Sequence, residues 1–323
     1  MDRNVTKAAR LIQIEMLLLA HPEGLNQAEI ARRLCVHRSS VNRYLADVPG
    51  YIYEDNGKIH IDRAASPIHV QFNLHEAMSI HVASRLLATI LDRQNPHAAS
   101  ALRKLAIAID RLAPHISHYL YQSADAIDKD VEWQDPNYLR ALETLSLAWA
   151  ERRRVEIWHR KSKNEPTKRY LFSTYYIEPG AVNRAVYVIG FREPPGDIRT
   201  FKLERIERIE VVDSRYDIPM DFDPAKILKN AWGVWFTGGE PIKVVLKFTP
   251  KAALRLAESR WHRSEHVEQC EDGGVLWQAM LEEPMEMLPW IRGWGADVEV
   301  IEPQDLRESV IREVQRMKEL YHA

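Results

Sequence analysis

The run Arg38-Ser39-Ser40-Val41-Asn42-Arg43 holds side chains suited to reading base edges. An arginine fork can donate to both acceptors of guanine, an asparagine amide can pair bidentately with adenine, and a serine hydroxyl suits a phosphate or either base. Such chemistry needs a helix with one face buried and its N-terminal, outward side chains free. Val41 and Leu45, four residues apart, supply the inward face, which leaves Arg38, Ser39, Ser40, Asn42 and Arg43 outward or at the helix start. The competing reading is a helical pair with no nucleic-acid role. Residues 1–63 hold 9 Lys/Arg against 8 Asp/Glu, a net of +1, which favours that competitor.

A second group sits in a segment of strand-like alternation. Arg199, Phe201, Leu203 and Arg205 recur every second residue, so a strand would place them on one face. Two guanidiniums flanking an aromatic ring suit a phosphate beside a base. Tyr187 on a neighbouring strand adds a hydroxyl or a stacking surface, and Ser173 and Tyr175 supply a polar rim. The densest positive run lies nearby: residues 151–169 hold 8 Lys/Arg against 3 Glu, a net of +5. Lys161, Lys163, Lys168 and Arg169 within it extend the surface as a track for a short oligonucleotide. The alternative is a core position for Phe201 and Leu203, with the arginines held in internal salt bridges.

His262-x-x-Glu265-His266 fits the inverted zinc-peptidase pattern. That chemistry needs both histidines on one helix and a third ligand downstream, whereas this stretch reads as a junction between a helix and a strand. Cys35 and Cys270 are isolated, so neither a disulfide framework nor a four-cysteine metal site is available. No catalytic residue, metal or cofactor is expected, and the chain is read as a non-enzyme. His115 and His118 read as solvated, and Trp277, Trp290 and Trp294 as packing anchors.

The elements that must hold these groups follow from period and punctuation. Residues 7–20 carry Ala8, Leu11, Ile12, Met16 and Leu19 near helical spacing, stopped by His21-Pro22-Glu23-Gly24. Asn26 with Glu29 makes a capping box for a helix over Gln27–Leu34. Cys35-Val36-His37 turns into the helix that starts at Arg38, and YIYEDNGKIHID reads as a hairpin about Asn56-Gly57. Lys58 and His60 of that hairpin are placed to contact backbone or minor groove. Residues 66–133 read as helical, with Asn73 to Glu76 and Asn95-Pro96 as starts, and Asp135-Pro136 opens a helix ending near Arg154. From residue 155 the period turns to alternation for about 60 residues, the pattern of a small, strongly bent sheet or barrel. An α+β tail follows, without a Gly-rich phosphate loop.

With 323 residues, two or three domains are expected. Apolar residues make up 46% and charged residues 28%, the balance of a soluble globular protein, and no stretch approaches the roughly 20 apolar residues of a membrane span. The first residues lack a cleavage site, so no signal peptide and a cytoplasmic location are expected.

LNQAEIARRLCVHRSSVNRYL resembles the helix-turn-helix of the WYL-domain transcriptional regulators, in the part of that family related to DeoR-type repressors. NRAVYVIGF stands where the family has its namesake Trp-Tyr-Leu, and IRTFKLERI where it has an Arg-x-Phe-x-x-x-Arg-Ile stretch. RWHRSE and PWIRGWGADVEVIEP followed by LRE resemble the family's C-terminal extension. Val186 and Val188 replace the Trp and Leu of the name, Lys202 stands where an Arg is common, and His37 where Ser is usual. The resemblance implies a cytoplasmic regulator bound to operator DNA as a homodimer. Its ligand, a nucleotide or short nucleic acid, would sit on Ser173, Tyr175, Tyr187, Arg199, Phe201, Lys202 and Arg205, while Arg38, Ser39, Ser40, Asn42, Arg43 and Lys58 would meet DNA. The expected fold is α+β and multidomain: a winged helix-turn-helix (1–63), a helical connector (64–150), a small Sm/SH3-like β-barrel or WYL domain (151–219) and a C-terminal α+β extension for dimerisation (220–323). Two rivals stay open: a nucleic-acid-binding accessory of a defence or repair system, and the zinc peptidase.

Overall fold

A computed structural model describes residues 6–48, 50–67, 70–90, 95–129, 135–180 and 184–322. It is a mixed α/β protein with three separate sheets of two, four and five strands. The chain forms two compact units, Met1–Ile80 with Ser146–Glu151, and His81–Leu145 with Arg152–Ala323. Among the described residues, no helix is long and apolar enough to cross a membrane.

In the first unit, α1 (Lys7–Ala20) starts on the Thr6 hydroxyl, which accepts from the Ala9 N–H, and buries Ile14 and Leu18. α2 (Gln27–Arg33) has the full capping box: the Asn26 side-chain Oδ1 accepts from Glu29 N–H and the Glu29 carboxylate from Asn26 N–H, both at 2.9 Å. The chain reverses through Cys35, whose positive φ of 53° lets the Val36 N–H return to the Ala31 carbonyl at 3.0 Å. α3 (Arg38–Leu45) follows, with Val41 fully buried. Strands β1 (Ile52–Asp55) and β2 (Lys58–Ile61) are joined by Asn56 and Gly57 at φ 50° and 75°, the two positive-φ positions a tight hairpin requires. Ile59 bonds Leu25 in both directions, 3.1 and 2.9 Å, and so ties the hairpin to the turn before α2. Gly24 leaves room for this: at φ 74°, a Cβ there would lie 2.4 Å from the His60 ring. Ile14, Leu18, Leu25, Ile30, Val41, Ile52 and Ile59 share one core.

α4 (Leu74–Ile90) opens on a second capping box, Asn73 with Glu76. In the second unit, α5 (Pro96–Ile109) begins on Asn95 with Pro96 in the first turn, buries Leu102, Leu105 and Ile109, and packs against α6 (Pro114–Lys129). α7 (Pro136–Glu151) is capped by the Asp135 carboxylate, which accepts from Asn137 and Tyr138 N–H.

Five antiparallel strands then form one sheet: β3 (Arg153–His159), β4 (Lys168–Gly180), β5 (Ala185–Glu193), β6 (Asp197–Lys202) and β7 (Ile206–Arg215), in the order β6-β5-β4-β3-β7. β4 carries a bulge between Thr174 and Tyr176, which bends it. The segment from Thr200 to Asp213, expected to run as one strand, is broken by a 3-10 turn at Leu203–Arg205. The reason is topological: β6 and β7 lie at opposite edges of the sheet, so the chain must leave one edge to reach the other. Leu203 is buried at that corner.

The last sheet has the order β11-β8-β10-β9, from β8 (Ile242–Phe248), β9 (His266–Gln269), β10 (Val275–Leu281) and β11 (Val298–Glu302). The short α8 (Pro224–Ile227) precedes it, and α9 (Pro250–Ala257), α10 (Leu288–Trp294) and α11 (Gln304–Tyr321) accompany it. Trp232, Trp277 and Trp294 belong to its core, with Trp290 packed against it.

Candidate nucleic-acid interface

The first candidate surface is the outward side of α3. Val41 is 0% exposed and pins the helix, and burial of one such side chain is worth about 1.5–3 kcal/mol. Arg38, Ser39, Asn42 and Arg43 are exposed, and Ser40 is partly so. His37 starts the helix without capping it, its Nδ1 lying 3.0 Å from the Ser39 hydroxyl. Among the described residues, neither Arg38 nor Arg43 has a carboxylate within ion-pair distance. Lys58 at the hairpin turn is also exposed, and its ammonium donates to the Glu23 carbonyl at 3.3 Å. His60 stacks on Tyr53, with centroids 5.5 Å apart.

The second surface is a cleft of about 610 Å³ in the second unit. Five cations line it: Lys161 from the β3–β4 loop, Arg192 from β5, Arg199 and Lys202 from β6, and Arg205 from the 3-10 turn. Among the described residues, Glu283 is the one carboxylate in its lining. Aromatic rings alternate with the cations: Tyr170, Tyr187, Phe201, Trp235 and Phe236. Phe201 is the floor, 5% exposed, with its ring 4.8 Å from His159, 5.3 Å from Tyr170 and 5.4 Å from Phe172.

The cations differ in how far they are neutralised. The Asp197 carboxylate accepts from Arg192 at 2.6 and 3.2 Å and from Arg199 at 2.8 Å. The Arg192 bond in particular holds the Asp197 carboxyl below the usual range. Arg192 also lies over the Tyr170 ring, 5.2 Å from its centroid. Among the described residues, Lys161, Lys202 and Arg205 have no carboxylate within ion-pair distance. His159 is a neutral member of the wall: burial first, then the Arg205 guanidinium, pulls its pKa down to about 4.

Tyr187, Arg199, Phe201, Lys202 and Arg205 therefore converge, as their sequence positions suggested, although Arg205 arrives by a turn and not by strand alternation. Ser173 and Tyr175 do not line this cleft. Tyr175 sits at the β4 bulge and is buried, its ring meeting Tyr216 and Phe222 at 6.0 and 5.0 Å. Gly180 makes room for Tyr187, since a Cβ there would approach that ring to 2.6 Å. Of the expected cationic track only Lys161 reaches the cleft; Arg169 pairs with Glu156 and lies over Trp158, 5.5 Å from the ring centroid. Sequence reasoning missed Arg192, Tyr170, His159 and the Trp235-Phe236-Thr237 segment. Arg192 was findable, being seven residues before Arg199 across an obvious turn.

The histidines of the zinc-like pattern do not share a helix. His262 is buried, with Nδ1 2.8 Å from the Ser264 hydroxyl, while His266 begins β9 and faces Glu268. Glu265 is occupied in accepting from the Trp261 and His262 amides and the Trp277 indole. Among the described residues, no group of three or more His, Cys, Asp or Glu is arranged to hold a metal ion.

Residues 140–211 match the WYL domain, and residues 240–318 match the WCX domain. The chain carries both. Every cation of the cleft lies within the WYL match, and Glu283 lies within the WCX match. Tyr187 is the part of the namesake tripeptide that remains, and Val186 and Val188 beside it are buried. Among curated proteins, the uncharacterized HTH-type transcriptional regulator YobV of Bacillus subtilis is 26% identical over 133 residues, 39% of each chain. The chain thus spans about two fifths of the length of that relative. Among solved structures, proteasome accessory factor B/C of Arthrobacter aurescens aligns over 94% of this chain and 46% of its own, at 19% identity and TM-score 0.31. A CRISPR Cas-related protein aligns over 80% of this chain and 89% of its own, at 10% identity and TM-score 0.44.

Proposed function

We propose that this chain is a DNA-binding transcriptional regulator, with no catalytic role, whose operator binding responds to a phosphate-bearing ligand in the WYL cleft. In this reading α1–α3 with the β1–β2 hairpin are a winged helix-turn-helix, and α3 is the recognition helix that enters the major groove. The observation that carries it is the state of α3: Val41 is fully buried beneath, Arg38, Ser39, Asn42 and Arg43 are exposed above, and among the described residues neither arginine has a carboxylate within ion-pair distance. Lys58 would follow the backbone beside the groove. The name of the Bacillus subtilis relative, an HTH-type transcriptional regulator, agrees with this reading.

The five-stranded sheet, read as a small Sm-like barrel, supplies the sensor. Lys161, Lys202 and Arg205 would meet phosphate, and the aromatic lining would meet a base. The ligand class is a nucleotide or a short single-stranded nucleic acid. The rival reading, an accessory protein that works through this cleft alone, draws on the same cations but predicts no preference among duplex sequences.

The regulator is read as a homodimer acting in the cytoplasm. α11 inserts Leu306 into the core at its start, then presents Ile311, Val314, Met317 and Leu320 outward at 43, 58, 53 and 75% exposure. Each step of three residues turns about 60° around the helix, so neighbouring members adjoin in an apolar stripe that winds round it, exposed surface of the kind a two-fold contact buries. The deciding experiment is selection of the full-length protein on a random duplex pool. Enrichment of a two-fold site whose recovery fails for Arg43→Ala and Asn42→Ala supports the reading; enrichment of no sequence would remove it.

A further inference from the structure

Between the WYL and WCX matches lies a stretch that neither covers, residues 212–239, and its last part forms a wall of the cleft. Its backbone is held by two carboxylates of the WCX domain. The buried Glu286 accepts from the N–H groups of Gly233 at 2.9 Å, Val234 at 3.0 Å and Trp235 at 3.3 Å. Glu282 accepts from the N–H groups of Thr237 and Gly238, both at 3.0 Å. Gly233 has no side chain where Glu286 arrives; a Cβ there would stand 2.8 Å from its Oε1. From the other side, the Thr200 hydroxyl of β6 donates to the Val234 carbonyl at 3.3 Å, and Val234 packs with Ala185 and Tyr187. Backbone amides bound to ionised carboxylates are strong, short-range ties, and losing the acceptor leaves the donors unsatisfied.

This clamped strap turns Trp235, Phe236 and Thr237 to the cleft. Phe236 is absorbed by packing against the cluster of Ile189, Leu228 and Ala231. Trp235 is not: it remains 48% exposed in a cleft whose lining includes five cations. A half-exposed indole with its backbone held, in a cleft that also carries cations, is what a nucleobase stacks on while its phosphate is neutralised.

We propose that Trp235 is the base-stacking surface of the cleft, and that Glu286 and Glu282 are positioning residues that hold it there. Base recognition then depends on the WCX domain, although the cations all belong to the WYL domain. The inference rests on the reading of the cleft as a site for a phosphate-bearing nucleobase ligand.

The test is equilibrium binding of the full-length protein to a short single-stranded oligonucleotide and to an abasic oligonucleotide of the same length. The wild type should prefer the base-bearing strand by roughly 5- to 150-fold, the range of a single stacking contact. Trp235→Ala should abolish that preference while leaving the salt dependence unchanged, because the phosphate contacts persist, and Trp235→Phe should restore most of it. Glu286→Gln should reduce the preference, and the double variant with Trp235→Ala should be no worse than Trp235→Ala alone, as expected when one residue acts through the other. If Glu286→Gln does not fold, Glu282→Gln, whose carboxylate is only half-buried, carries the same comparison. A base preference that survives in Trp235→Ala would overturn the stacking role and leave the cleft reading standing. Failure of the wild type to bind either strand would overturn both.

Discussion

Arg38 and Arg43 stand on one helix with no carboxylate within ion-pair distance among the described residues, whereas Arg192 and Arg199 of the cleft share the carboxylate of Asp197. The α3 surface comes from six consecutive residues, and its chemistry is complete once Val41 sets the phase of the helix. The cleft takes its cations from a loop, two strands and a 3-10 turn, and part of their charge is spent inside the protein. A surface built on one element can be exposed in full, because the element holds itself in shape. A surface assembled from several needs internal ties to hold its cations together, and each tie weakens the field those cations offer a ligand.

The sharpest way to separate the two surfaces is to break one foundation. Val41→Asp buries an uncompensated carboxylate under α3 and should destabilise that unit by about 4 kcal/mol or more. Duplex binding should vanish in a gel-shift assay while oligonucleotide binding by the cleft persists. Loss of both together would contradict their independent construction.

Next in size, Arg43→Ala and Asn42→Ala should each weaken binding to the selected duplex by about 1–3 kcal/mol and relax preference at one base pair. Fluorescence anisotropy on the selected site and its single-base variants measures this. Equal losses on every duplex would mark these residues as backbone contacts.

The cleft predicts an unequal pair. Arg205→Ala should lower the slope of log affinity against log salt by about one for an oligonucleotide, because its charge has no internal partner. Arg199→Ala should lower it by less, since Asp197 already holds that guanidinium. Asp197→Asn should tighten binding by releasing Arg192 and Arg199. Equal slopes for the two alanine variants would remove the distinction between tied and free cations.

A separate prediction concerns pH. His159 has a folded pKa of about 4 against an ordinary value of 6.5, because burial disfavours its cation. As pH falls from 6.5 to 4 the unfolded chain takes up a proton that the folded chain refuses, so stability declines across that window and levels off below it. Thermal melts should show this decline, and His159→Phe should flatten it. His81 and His262 are shifted in the same direction, so part of the slope should remain.

The sequence by itself determined the parts whose cause is local. The Asn26 and Glu29 box closes over three residues, Asn56-Gly57 supplies the positive φ of its own turn, and the four-residue spacing of Val41 and Leu45 orients the rest of α3. Those interactions span a single helical turn or hairpin, so they are written where they act. Alternation likewise announced Phe201 and Arg199. The tertiary structure alone decided that the chain turns at Leu203–Arg205, because that depends on which strands occupy the two edges of the sheet. It also decided that Tyr175, at the β4 bulge, packs on Phe222 and Tyr216 outside the cleft, and that the one carboxylate of Asp197 is shared by two arginines. The wall carrying Trp235 was invisible for the same reason: its amides are satisfied by Glu286, 51 to 53 residues further along the chain, and only folding brings those groups within reach.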